Sequence, residues 1–95
     1  MVNKFRPAII VNNNSLGKLP LKIIIPITDW KTNYEIAPWM IKIEPDLNNG
    51  LTKTSTADCI QIMSLSQERM LKKIGVINDS ILLEIKEAIK KVIDI

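Results

Sequence analysis

Among its 95 residues the chain has no histidine. Histidine acid–base catalysis, Ser-His-Asp and Cys-His nucleophile systems and His-containing zinc sites are therefore excluded. Any chemistry must rest on arginine, lysine, carboxylates or hydroxyls. Arg6 stands directly before Pro7, which disfavours the helical region for its predecessor and holds it extended. Thr28, Asp29 and Trp30 end an isoleucine-rich run, and Gln61, Ser64 and Arg69 follow in a later segment. Each has a plainer reading beside a functional one. Arg6 suits a surface cation, and Thr28 suits a β-former ending a strand. Gln61 suits a structural hydrogen-bonding group, Ser64 a cap for a following turn, and Arg69 a salt-bridge partner. Trp30 offers a face on which a base can stack, whereas Trp39 shares an alternating face with Ile41 and Ile43 and is assigned to the core. The single cysteine, Cys59, has no neighbour that would depress its pKa and reads as a small core residue. One cysteine also excludes an internal disulfide framework and fits a reducing compartment. No carboxylate cluster has metal-ligand spacing, so neither a metal nor a cofactor is expected.

Positive charge is concentrated early. Residues 1–34 hold Lys4, Arg6, Lys18, Lys22 and Lys31 against Asp29 alone, while the remainder holds eight basic and nine acidic residues. A basic first third suits an anionic partner, with a solvated basic surface as the plainer alternative. Hydrophobic residues make up 46% and charged residues 24%, a globular composition. The length allows one domain, spanning 1–95, whose small core must use most of the apolar residues or be shared with a partner. Residues 1–7 are broken by Asn3, Lys4 and Arg6, and the apolar runs after them, such as 8–11 and 23–25, are far below a membrane span. A cytoplasmic location without a membrane partner is expected.

The elements that must position these residues read as strands followed by a helix. Strands are expected at 8–11, closed by Asn12-Asn13-Asn14, and at 21–28, where Pro26 cannot donate a ladder hydrogen bond and marks a bulge or an edge. Residues 39–44 alternate, with Trp39, Ile41 and Ile43 on one side and Met40, Lys42 and Glu44 on the other. Residues 45–52 contain Asp-Leu-Asn-Asn-Gly and must be loop. A further strand is expected at 57–64, a single helical turn at 67–70 and a short strand at 72–77. Asn78 or Asp79 caps a final helix with an apolar stripe of Ile81, Ile85, Ala88, Ile89 and Val92. Strands followed by a terminal helix indicate a small α+β domain or a barrel with one helix attached.

Taken in order, Arg6-Pro7-Ala8-Ile9-Ile10-Val11, Ile25-Pro26-Ile27-Thr28-Asp29-Trp30, Pro38-Trp39-Met40-Ile41-Lys42-Ile43-Glu44-Pro45, Gln61-Ile62-Met63-Ser64 and Glu68-Arg69 resemble the MazF/PemK toxins of toxin–antitoxin pairs. The resemblance covers the chain from Arg6 onward and rests on the ordered set, since no one motif is specific. It implies an α+β, mainly β fold: a small SH3-like β-barrel with a short helical turn and a C-terminal α-helix. It further implies a homodimer, single-stranded RNA as substrate, and an antitoxin whose acidic C-terminal tail occupies the RNA groove. Arg6 and Thr28 fall at positions implicated in metal-independent RNA cleavage, in which the 2′-hydroxyl attacks the adjacent phosphate. A guanidinium and a hydroxyl donor suit the extra negative charge of the five-coordinate phosphorus species. Arginine keeps its proton, so Arg6 is assigned as transition-state stabiliser and acid, and the base is left unassigned. Lys18, Asp29, Trp30, Gln61, Ser64 and Arg69 are the expected RNA contacts.

Two departures qualify the resemblance. Relatives carry a strand and loop before the Arg-Pro motif, so the domain reads as N-terminally shortened. Relatives also favour arginine where Met63 stands, in a Gln-Ile-Arg pattern, and the methionine removes one phosphate-binding charge. The main rival reading is therefore a catalytically weak relative that dimerises or binds RNA or antitoxin. A gyrase-poisoning toxin on the same barrel, such as CcdB, carries less weight: that family acts through an aromatic-bearing tail, and this chain ends Lys91-Val92-Ile93-Asp94-Ile95.

Overall fold

The computed structural model describes residues 6–12 and 19–95. Five strands and one helix organise them: β1 (Ala8–Ile10), β2 (Leu21–Asp29), β3 (Met40–Ile43), β4 (Ser55–Asp58), β5 (Met63–Ser66) and α1 (Asp79–Ile93). Short 3₁₀ segments occupy Thr32–Ile36, Cys59–Gln61 and Gln67–Arg69. The sheet is antiparallel in the order β1-β2-β4-β3, with β5 also paired to β2. Among the described residues no ladder joins β3 to β1 or β5, so the sheet is open where a closed barrel was expected. The class itself, mainly β with a terminal helix, is as the sequence implies.

β2 is the spine of the sheet. Its isoleucine-rich sequence suits a strand buried on one face, and it is long enough to take two successive partners along one side. Its first half pairs with β5, from Leu21↔Ser66 to Ile24↔Met63, and its last residues pair with β4, from Ile27↔Ala57 to Asp29↔Ser55. Between those registers only Ile25 and Pro26 face residues 58–62, so the partner chain bulges outward. The single strand expected at 57–64 is therefore broken. Pro26 has no N–H to give, and the Asp58 carboxylate turns the chain by accepting from the Ile60 N–H at 3.3 Å and from Gln61 Nε2 at 2.7 Å. Ser64 consequently sits inside β5 opposite Ile23 and caps nothing; Ser66 precedes the Gln67–Arg69 turn, without a side-chain cap bond.

The strand expected at 72–77 does not form. That segment is held by the 45–52 loop, where the Val76 N–H donates to the Asn48 carbonyl at 2.7 Å. The loop is itself locked by side chains. Asp46 Oδ1 accepts from the Asn48 and Asn49 N–H groups at 2.7 Å each, and buried Asn49 accepts from Asp46 and Leu51 while donating to the Glu44 carbonyl. Gly50, at φ +70°, lies so close to the chain that an added Cβ would fall 2.2 Å from the Ile74 carbonyl oxygen. With backbone packed on backbone there, no strand partner is available to residues 72–77.

The core lies between the sheet and α1. Ile9, Ile25, Ile27, Ile43 and Ala57 form one buried cluster with Cys59, Ile85 and Ala88, and Ile81, Ile89 and Val92 pack against it. The helical stripe and the Trp39–Ile41–Ile43 face both serve the core as their periodicities indicate. Asn78 caps α1 by accepting from the Ile81 N–H at 2.9 Å, and Lys90 and Lys91 occupy the last turn, where cations suit the dipole.

Candidate functional site

The face of the sheet turned away from α1 carries Thr28, Thr56 and Lys42 at one end and an apolar row at the other. The register decides which of them meet. Ala8 lies opposite Pro26, and the Ile27 N–H donates to the Pro7 carbonyl at 3.0 Å. One further step places Arg6 opposite Thr28, and both are exposed. On its other side Thr28 pairs with Thr56, which pairs in turn with Lys42. Directly opposed residues project to the same face. Arg6, Thr28, Thr56 and Lys42 thus form one cross-strand row over four strands, although the chain separates its ends by 36 positions.

The next row begins with Trp30, whose N–H donates to the Thr54 carbonyl at 3.3 Å. Thr54 Oγ1 donates to Glu44 Oε2 at 2.9 Å. Trp30 is half-buried, with Tyr34 standing edge-on to its ring at 5.9 Å between centroids and 79° between planes. The Lys42 ammonium lies 5.2 Å from the Trp30 ring centroid and 3.5 Å from Glu44 Oε1. Asp29 is exposed and ion-paired with Lys53 at 2.9 Å. Thr56, in the middle of the first row, is fully buried, and its hydroxyl points to Met40 Sδ at 3.8 Å.

The other residues singled out from the sequence stand apart. Gln61 is exposed, in the turn that follows β4, with its amide tied to Asp58. Ser64 pairs with Ile23, on the face opposite to Thr28. Arg69 belongs to the turn whose Gln67 N–H donates to the Pro20 carbonyl, beyond the far end of β2 from Thr28. Met63 shares the Thr28 face, but it lies four residues along β2, about 13 Å away, in an apolar row with Ile24 and Ile10. Lys18 lies outside the described residues. Sequence reasoning passed over Lys42 and Thr56: alternation gives the face on which a strand residue lies, but not its neighbours on other strands.

Cys59 sits beneath this region, fully buried, and burial pushes its thiol from 9.0 up to about 11, with the Asp58 charge adding to the shift. It remains a neutral thiol near pH 7, consistent with a packing residue.

Comparison with known families matches residues 2–93 to the PemK-like, MazF-like toxins of type II toxin–antitoxin systems. Curated proteins yield no match. Among solved structures, the Mycobacterium tuberculosis toxin MazF-mt6 superposes with a TM-score of 0.80 at 21% identity, over 95% of this chain and 87% of that one. Another crystal structure, of an Mtb toxin, gives 0.77 at 22% identity over 92% and 91%. The MazE-MazF structure from Deinococcus radiodurans gives 0.73 at 17% identity over 95% and 83%. At such identities the structural likeness speaks to the fold, while the family match extends over almost the whole sequence. The chain belongs to the PemK-like, MazF-like toxin family of type II toxin–antitoxin systems.

Proposed function

We propose that this chain is an endoribonuclease cutting single-stranded RNA at the Arg6–Thr28 position. The RNA 2′-hydroxyl attacks the adjacent phosphorus and the bond to the 5′-oxygen breaks, leaving a 2′,3′-cyclic phosphate and a 5′-hydroxyl. Negative charge gathers on the phosphoryl oxygens in the five-coordinate species. The Arg6 guanidinium and the Thr28 hydroxyl supply donors to it. The observation that carries the reading is the β1–β2 register, which brings an exposed arginine opposite an exposed threonine at one end of the sheet. The proposal includes a second copy of this chain as dimer partner and an antitoxin whose acidic C-terminal tail competes with RNA for the same face.

The test is incubation of single-stranded RNA with the purified protein in EDTA. Cutting that persists in the chelator and leaves cyclic-phosphate ends supports the mechanism. Loss of cutting that magnesium restores overturns it. A second reading, in which the chain binds RNA or antitoxin without cutting, is favoured by the apolar Ile10–Ile24–Met63 row, which carries no cation toward RNA. Binding with no cleavage under any condition selects that reading.

A further inference from the structure

The Arg6–Thr28–Thr56–Lys42 row does not end at the proposed cleavage position. It crosses β4 and reaches a cation on β3. Two strand spacings separate the Thr28 and Lys42 backbones, about 10 Å, so a ligand that meets both must span the strands. Lys42 is exposed, yet its ammonium is not left to wander. The Trp30 ring lies 5.2 Å below it and Glu44 Oε1 lies 3.5 Å away. Both supports are fixed in their turn. Tyr34 stands edge-on against Trp30, and Thr54 Oγ1 donates to the second Glu44 oxygen at 2.9 Å. An ammonium over an indole face is attracted by the ring quadrupole, and it occupies the face on which a base would otherwise stack. Its exposed pair with Glu44 is a weak one, readily exchanged for another anion.

We propose that Lys42 binds the RNA phosphate neighbouring the one that is cleaved, and that Trp30 is its positioning residue. This rests on the endoribonuclease reading and assigns the direction in which RNA crosses the sheet, from β1 across β2 and β4 to β3. Lys42 supplies a point charge to the backbone and reads no base. Trp30 holds that charge above the sheet.

The experiment measures binding of a 2′-O-methyl single-stranded RNA, which lacks the attacking hydroxyl, across a salt series, alongside single-turnover cleavage of ordinary RNA. Lys42→Gln should flatten the dependence of log affinity on log salt by about 0.7, the share of one single-strand phosphate. Lys42→Arg should keep the wild-type slope. Trp30→Leu should flatten it in part and Trp30→Phe should restore it. Lys86→Gln, on the solvent side of α1, should leave it unchanged. Cleavage at saturating RNA should fall less than tenfold in Lys42→Gln. Circular dichroism melts of the same variants show whether each is folded, and Lys42→Arg carries the comparison if Trp30→Leu is not. A wild-type slope in folded Lys42→Gln, with wild-type protein binding and cutting RNA, overturns this assignment alone. Wild-type protein that neither binds nor cuts RNA overturns the endoribonuclease reading and this inference with it.

Discussion

Along one face of β2, Ile25 and Ile27 are buried in a cluster with Ile43, Ile85 and Ala88; on the other face of the same strand, Thr28 is exposed between Arg6 and Thr56. One backbone therefore serves two requirements. The inner face excludes water and is sensitive to volume, because a lost methylene group leaves a cavity that the packed neighbours only partly fill. The outer face gains nothing from close packing at Thr28 and depends on which polar groups the register brings together. Stability and proposed chemistry are thus separable between Ile25 and Thr28, and substitutions at these two positions should fail in different assays.

The widest effect should come from the inner face. Ile25→Ala should cost about 2–5 kcal/mol, read as a lowered urea midpoint, while the folded fraction keeps its cleavage rate. Arg6→Ala and Thr28→Val should do the reverse. Each should lower single-turnover cleavage by roughly 10²–10³-fold, about 3–4 kcal/mol of transition-state stabilisation, with unfolding midpoints close to wild type. If Thr28→Val destabilises the protein as much as Ile25→Ala does, the separation of faces is wrong.

A third measurement sharpens the inner face. The thiol of Cys59 is held up at about 11 against an ordinary 9.0, chiefly by burial and then by the Asp58 charge. Between those values the unfolded chain has released its proton and the folded chain has not. The folded state binds more protons, so stability is complete below about pH 9 and is lost as pH rises toward about 11, by up to about 2–3 kcal/mol. Urea midpoints of wild type should fall across that window more steeply than those of Cys59→Ala, which starts lower but lacks the titrating group. Parallel curves would show that Cys59 does not contribute the slope. The smallest effect belongs to the helix that covers the inner face. Asn78→Ala removes the acceptor for the Ile81 N–H and should cost about 1 kcal/mol, seen in the same titrations with no change in cleavage per folded molecule.

Much of the inner face was legible in the sequence because it repeats with the period of its own element. The Ile81, Ile85, Ala88, Ile89 and Val92 stripe and the Trp39, Ile41 and Ile43 alternation each depend on neighbours a few residues away, and both pack as their spacing indicates. The bend between β4 and β5 was not legible from apolar alternation, which runs on through 57–64. It required Pro26 on a strand earlier in the chain and the Asp58 side chain acting on Ile60 and Gln61. The coil at 72–77 likewise depends on the Asn48–Gly50 loop against which it rests.

By itself the sequence determined the residue chemistry, the absence of histidine, the strand-then-helix order, the capping asparagine and the ordered motifs of the toxin family, because each is a property of single residues or of short spacings. Only the tertiary structure decided the neighbours. It set Arg6 against Thr28, extended that row through Thr56 to Lys42, laid the ammonium over Trp30, and sent Ser64 to the opposite face and Arg69 beyond the far end of β2. Cross-strand register is fixed by hydrogen bonds between segments distant in the chain, and a one-residue slip would turn every side chain of a strand to the other face.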